Sequence, residues 1–223
     1  MNEQAPLSST ERTTLRRFPQ RARTEREALY EILDAGLLCT LAAVVDGGPH
    51  ALPMVYGRIG ETLYFHGSPE NQVFVAASSG GEVCATVVNL YGLILANALY
   101  YHSVVARGAM IYGRLHVVTD PEERLAGLRA SANQLVPGRA DALPDPTEEQ
   151  LGRTLVVALP LAEASVKIFE GPPGGDETHY ELDIWAGILP LVQTWGTPVN
   201  DPKLHPGVDV PEHVARLVGQ RAV

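Results

Sequence analysis

The chain has 223 residues and 24.0 kDa, a size that fits one large domain. Its formal net charge of -9 argues against a nucleic-acid partner, and its charged fraction of only 19% suggests a surface partly covered by a second copy. It has no N-terminal apolar signal core and no run approaching the ~20 apolar residues of a membrane span, so a cytoplasmic protein with no membrane segment is expected.

Residues 1–23 are polar, with Arg12, Arg16, Arg17, Arg21 and Arg23, and read as a flexible N-terminal arm. Thr24 and Glu27 have capping-box spacing. Leu29, Ile32 and Leu33 share one helical face, and Gly36 is expected to end that helix as its C′ residue. Residues 38–45 form an apolar strand, Asp46 to Pro49 a turn, and residues 50–58 a return strand. Pro53 places the return strand at an edge or bulge. Cys39 and Cys84 lie in apolar runs without metal-site spacing and read as core residues. A third strand covers residues 62–66, which makes a meander and excludes a βαβ start.

Residues 69–78 suggest a short helix and 83–88 a strand, while 90–98 suit either strand or helix. Residues 104–118 read as a long strand bent at Gly108 and Gly113. Asp120-Pro121-Glu122 starts a helix running to about Leu135, and Thr147 starts a shorter one. Strands follow at 154–159 and 165–170, then a Gly/Pro loop and a short helix near 211–218. The sum is a mainly β (α+β) domain over residues 24–190: an antiparallel barrel with flanking helices, because hairpin-linked strands must remove their edges. Residues 191–223 are expected as a C-terminal extension packed on the barrel or on a dimer partner.

The third strand carries the first site signal. In Thr62-Leu-Tyr-Phe-His-Gly-Ser68, alternation sends Tyr64 and His66 to one face and Leu63 and Phe65 to the other. Gly67 allows close backbone approach, and Ser68 offers a hydroxyl or N–H to an anion. His66 is either a catalytic or substrate-orienting group or a strand-end residue bonded to a carbonyl.

Residues 63–68, Ser103-Val-Val-Ala-Arg-Gly108, Ser165-Val-Lys167 before Gly171-Pro, and Trp185-Ala-Gly-Ile-Leu-Pro190 occur in one order. Together they resemble the pyridoxamine 5′-phosphate oxidase-like, flavin-nucleotide-binding family and its nitroimidazole-resistance branch. The resemblance implies a six-stranded antiparallel Greek-key split β-barrel, a homodimer, and FMN in the dimer groove. It further implies that Pro53, Met54 and Val55 meet the isoalloxazine edge and that Phe65, His66, Gly67 and Ser68 follow the ribityl chain. By the same resemblance Ser103 and Lys167 serve the phosphate, and Trp185 closes the groove.

The chain departs from that family where relatives carry basic residues, holding Asn71-Gln72, His102 and Phe169 instead. Each charge-assisted donor contributes about 1.5–3 kcal/mol, so these departures weigh on flavin affinity unless other donors replace them. Three readings follow. The first is an FMN-dependent oxidoreductase of small molecules with His66 as catalytic group and Gln72 and His102 beside the cofactor. The second is a haem-binding barrel with His66 and His102 as iron ligands. The third is a non-catalytic dimeric binding protein that has lost its flavin.

Overall fold

A computed structural model describes residues 6–222. Eleven strands and five α-helices run in this order: β1 (Ala22–Arg23), α1 (Arg26–Ala35), β2 (Cys39–Val45), β3 (Gly48–Met54), β4 (Gly57–Ile59), β5 (Thr62–Gly67), α2 (Gln72–Ser78) and β6 (Glu82–Leu95). There follow β7 (Ser103–Arg114), β8 (His116–Val117), α3 (Pro121–Leu135), α4 (Glu148–Gly152), β9 (Leu155–Pro160), β10 (Glu163–Phe169), β11 (Gly187–Pro190) and α5 (Glu212–Ala215). Strands β1-β10-β7-β6-β2-β3 form a large sheet, with β11 also on β6, and β4-β5-β9-β8 form a smaller one. Every pairing between these strands is antiparallel. This is the split-barrel architecture expected from the sequence.

Alternation builds the interior. Cys39, Leu41, Ala43 and Val45 of β2 face inward, as do Val83, Ala85 and Val87 of β6. They enclose a core with Leu63, Phe65, Phe74, Ile111, Val157 and Leu159, each such side chain stabilising the fold by about 1.5–3 kcal/mol on burial. The Cys39 thiol is pushed up to about 12 by burial, which keeps it inert.

Some sequence expectations change, and one left open is settled. The return strand at 50–58 is two strands, because the chain leaves the large sheet after Met54 and enters the small one at Gly57. The meander is thereby divided between sheets, although β3 is the edge strand that Pro53 required. Residues 90–98 continue β6 as far as Leu95, because β7 and β11 flank it on both sides. The capping box at Thr24 is absent, the N-cap being Glu25 without a side-chain cap. Gly36 has φ -74 rather than a left-handed conformation, and its role is steric. A Cβ there would lie 2.5 Å from Val87 Cγ1 and 2.6 Å from the Tyr56 hydroxyl oxygen.

The N-terminal segment, expected as a flexible arm, is docked over its described part. Leu7 belongs to the core cluster, and its N–H donates to the Thr24 carbonyl at 2.7 Å. Arg12 bridges Glu82 (2.9 Å) and Glu163 (2.6 Å). The Arg12 guanidinium and then the Thr10 hydroxyl hold the Glu163 carboxyl down at about 2. Strand β1 pairs Ala22 with Lys167 and Arg23 with Val166. No helix among the described residues is long and apolar enough to cross a membrane.

Candidate functional site

The residues singled out in the sequence fall into two groups on one chain. The first lies where β3 ends and β5 meets α2. Gly67 is close enough to its neighbours that a Cβ would stand 3.3 Å from the Phe74 ring and 4.0 Å from Met54 Cε. Pro53 is exposed and Val55 half-buried at the crossing between sheets. The Ser68 hydroxyl accepts from the Glu70 N–H at 3.1 Å, and the Asn71 side chain caps α2 by accepting from Val73 and Phe74. Asn71, which stands where a basic residue was expected, is thus a helix cap, and Gln72 is exposed beside it. The Phe65 side chain points into the barrel core and leaves only its backbone for a ligand.

His66 pairs with Val156 and lies on the face opposite Phe65. Its Nδ1 is buried and has no hydrogen-bond partner among the described residues. Burial lowers its pKa, which favours the neutral ring and suits a proton acceptor or a metal ligand better than an acid.

The second group lines a cleft of about 530 Å³ at the ends of β7 and β10. His102, Ser103, Lys167 and Phe169 meet there with Tyr100, Tyr101 and Pro172. The N-terminal arm closes one wall with Arg17, Phe18 and Arg21, which sequence reasoning had assigned to solvent. Phe18 holds φ 59 and ψ 58, a left-handed conformation costing a non-glycine residue roughly 1–2 kcal/mol. That bend aims the turn Pro19–Arg21 inward. The Arg21 guanidinium carbon lies 3.4 Å from the Phe169 ring centroid and 4.3 Å from that of Phe18. At position 169, where a basic residue was expected, a phenylalanine instead supports an arginine from elsewhere in the chain.

The cleft is electropositive in an acidic protein. Arg17, Arg21 and Lys167 face it against a single carboxylate, Glu170. Arg107 engages that carboxylate at 2.8 Å, and among the described residues no other carboxylate faces the three cations in the cleft. Trp185 is exposed on the far side of His102, where the two border a smaller hollow with Leu99 and Ile184. His102 lines both of these clefts and His66 neither.

The fold is thus an antiparallel split barrel with a cationic, aromatic cleft. The chain belongs to the pyridoxamine 5′-phosphate oxidase family, whose model matches residues 25–168. Among solved structures it is similar to the flavocytochrome Anf3 from Azotobacter vinelandii, at 32% identity over 96% of this chain and 100% of that one, with a TM-score of 0.88. It is also similar to the FAD and haem binding protein from Mycobacterium smegmatis, at 31% identity over 91% and 98% of the two chains, with a TM-score of 0.85. A Bacteroides thetaiotaomicron protein named for 5-nitroimidazole antibiotic resistance shares the fold, at 19% identity over 66% and 86%, with a TM-score of 0.57. No curated protein sequence matches the chain.

Proposed function

We propose that this chain is a flavin-dependent oxidoreductase of small molecules that also holds a haem and acts as a cytoplasmic homodimer. The observation that carries this reading is full-length similarity, above 30% identity, to two proteins named for these cofactors. FAD is the flavin named for the Mycobacterium smegmatis protein, and we favour it over FMN. Two orphaned buried nitrogens fit such groups: Arg21 Nη1 suits an oxyanion, and His66 Nδ1 suits an acceptor or ligand role.

Bound flavin would supply hydride or single-electron transfer, and haem single-electron transfer. This chain's residues would bind and orient them. Lys167, Ser103, Arg17 and Arg21 would hold negative charge, and backbone groups at Pro53 to Val55 and Phe65 to Ser68 would meet the flavin. His66 accepts a proton or ligates iron, with His102 as the second candidate ligand. Trp185 excludes water from the groove.

A second copy would join the two groups of residues. Leu189, Leu93 and Val104 form a cross-strand row, and all three are exposed, as are Val44, Val88 and Met110 on the large sheet. Exposed apolar side chains on one sheet are what a homodimer buries. Titration of the purified protein with FAD, FMN and haemin, combined with light scattering after size exclusion, tests the proposal. A dimer that takes up FAD and haemin is expected. A monomer that binds neither overturns it in favour of a non-catalytic binding protein.

A further inference from the structure

We infer that Arg21, carried on the docked N-terminal arm, is an oxyanion-binding residue for the aromatic cofactor: it grips a flavin phosphate or a haem propionate within the cleft. This rests on the cofactor reading given above. The geometry is that of a built site. Ala22 is fixed opposite Lys167 in the β1–β10 ladder, which brings the preceding residue beside the Lys167 and Phe169 side chains. The guanidinium carbon lies over both the Phe18 ring (4.3 Å to its centroid) and the Phe169 ring (3.4 Å), and these two cation–π contacts restrain the group at the cleft.

Nη1 is buried with no hydrogen-bond partner among the described residues. A buried guanidinium nitrogen without an acceptor is costly, and an oxyanion entering the cleft would satisfy it. The nearby carboxylate does not fill this role, because Glu170 is engaged by Arg107. Lys167 Nζ, 5.9 Å from the Phe169 centroid, and Ser103 stand on the same wall and add donors to the same group. Arg17, with its guanidinium carbon 5.0 Å from the Phe18 centroid, contributes charge at the rim. Arg23 is a built-in control: its Nη1 donates to the Gln20 and Ala22 carbonyls, and it does not line the cleft.

Equilibrium titrations of wild type, R21A, R21K and R23A, followed by flavin fluorescence and by the Soret band, test this. Probes are FAD, FMN, riboflavin, haemin and haem dimethyl ester, with thermal unfolding as the check on folding. If flavin is the source, R21A loses about 10- to 100-fold in affinity for FAD and FMN and none for riboflavin, since one charge-assisted donor is removed. If haem is the source, haemin affinity falls by the same factor while the dimethyl ester is unaffected. R21K, which keeps the charge but loses the planar fork, falls in between, and R23A matches wild type. The inference is overturned if wild type binds its cofactors and R21A binds them equally well, or if R21A loses charged and uncharged probes alike, which would mean a packing role. Wild type that takes up neither flavin nor haem overturns the underlying cofactor reading instead, and this inference with it.

Discussion

Leu7→Ala tests whether the N-terminal segment is a docked structural element that holds part of the cleft. Leu7 is 6% exposed and contacts the core, so nearly its whole side chain is withdrawn from water. Leucine-to-alanine changes in cores cost about 2–5 kcal/mol, and a surface-lying arm can settle over the gap, which places this one near ~2 kcal/mol. At ~1.4 kcal/mol per tenfold, the open population of the arm should rise roughly 30-fold. Two assays report it: exchange of the Leu7 amide, which donates to Thr24, and trypsin cleavage after Arg12, Arg16 and Arg17. The global unfolding free energy should fall by no more than ~2 kcal/mol. An unchanged arm exchange rate would refute the docking argument. A global loss of ~4–5 kcal/mol would refute the treatment of Leu7 as an arm anchor by making it a central core residue.

Two further predictions concern the frame around the site. Gly57→Ala places a Cβ 2.4 Å from the Ala130 carbonyl carbon and Ser131 N on α3, backbone atoms that cannot rotate away, so a loss of about 1–3 kcal/mol or more is expected in urea unfolding. Gly152→Ala meets nothing within 4 Å in α4 and should stabilise by about 0.5–1 kcal/mol; equal effects at the two glycines would contradict the steric reading. Glu163 has its carboxyl held at about 2 by Arg12, below its ordinary value near 4.5. The unfolded chain therefore takes up the proton first on acidification, and stability present above about pH 4.5 is lost as the pH falls toward 2. Wild type should release its arm to protease within that window, whereas E163Q should show a smaller step, because the Arg12–Glu82 pair still titrates there; a step of the same size in E163Q would exclude Glu163 as the main titrating group. Added salt should shrink the wild-type step, since the pair is partly exposed.

Much of the barrel was legible because its signals are local and periodic. Alternation marked β2 and β6, Asp120 and Pro121 marked the start of α3, and Pro53 marked an edge strand. The passage from β3 to β4 was not, because a chain that changes sheets keeps its apolar alternation through the crossing at Val55 and Tyr56. Of the residues singled out in the sequence, His102, Ser103, Lys167 and Phe169 are brought to one cleft, through strand ends that the β7–β10 ladder aligns. Arg17, Phe18 and Arg21 were missed. A two-residue strand such as β1 has no periodicity to detect, and an arginine-rich segment has the same composition whether it is solvated or stacked on aromatic rings. The hint available was Leu7 and Phe18, two large apolar residues in an otherwise polar arm. Neither residue alone identifies its partner strand, because that contact spans more than a hundred residues of sequence.

The absorption spectrum of the protein as isolated tests the central claim most directly. Flavin bands near ~450 and ~370 nm together with a Soret band near ~410 nm are expected, because the chain is read as holding both cofactors. A colourless protein that acquires neither set of bands on incubation with FAD, FMN or haemin would contradict the oxidoreductase reading.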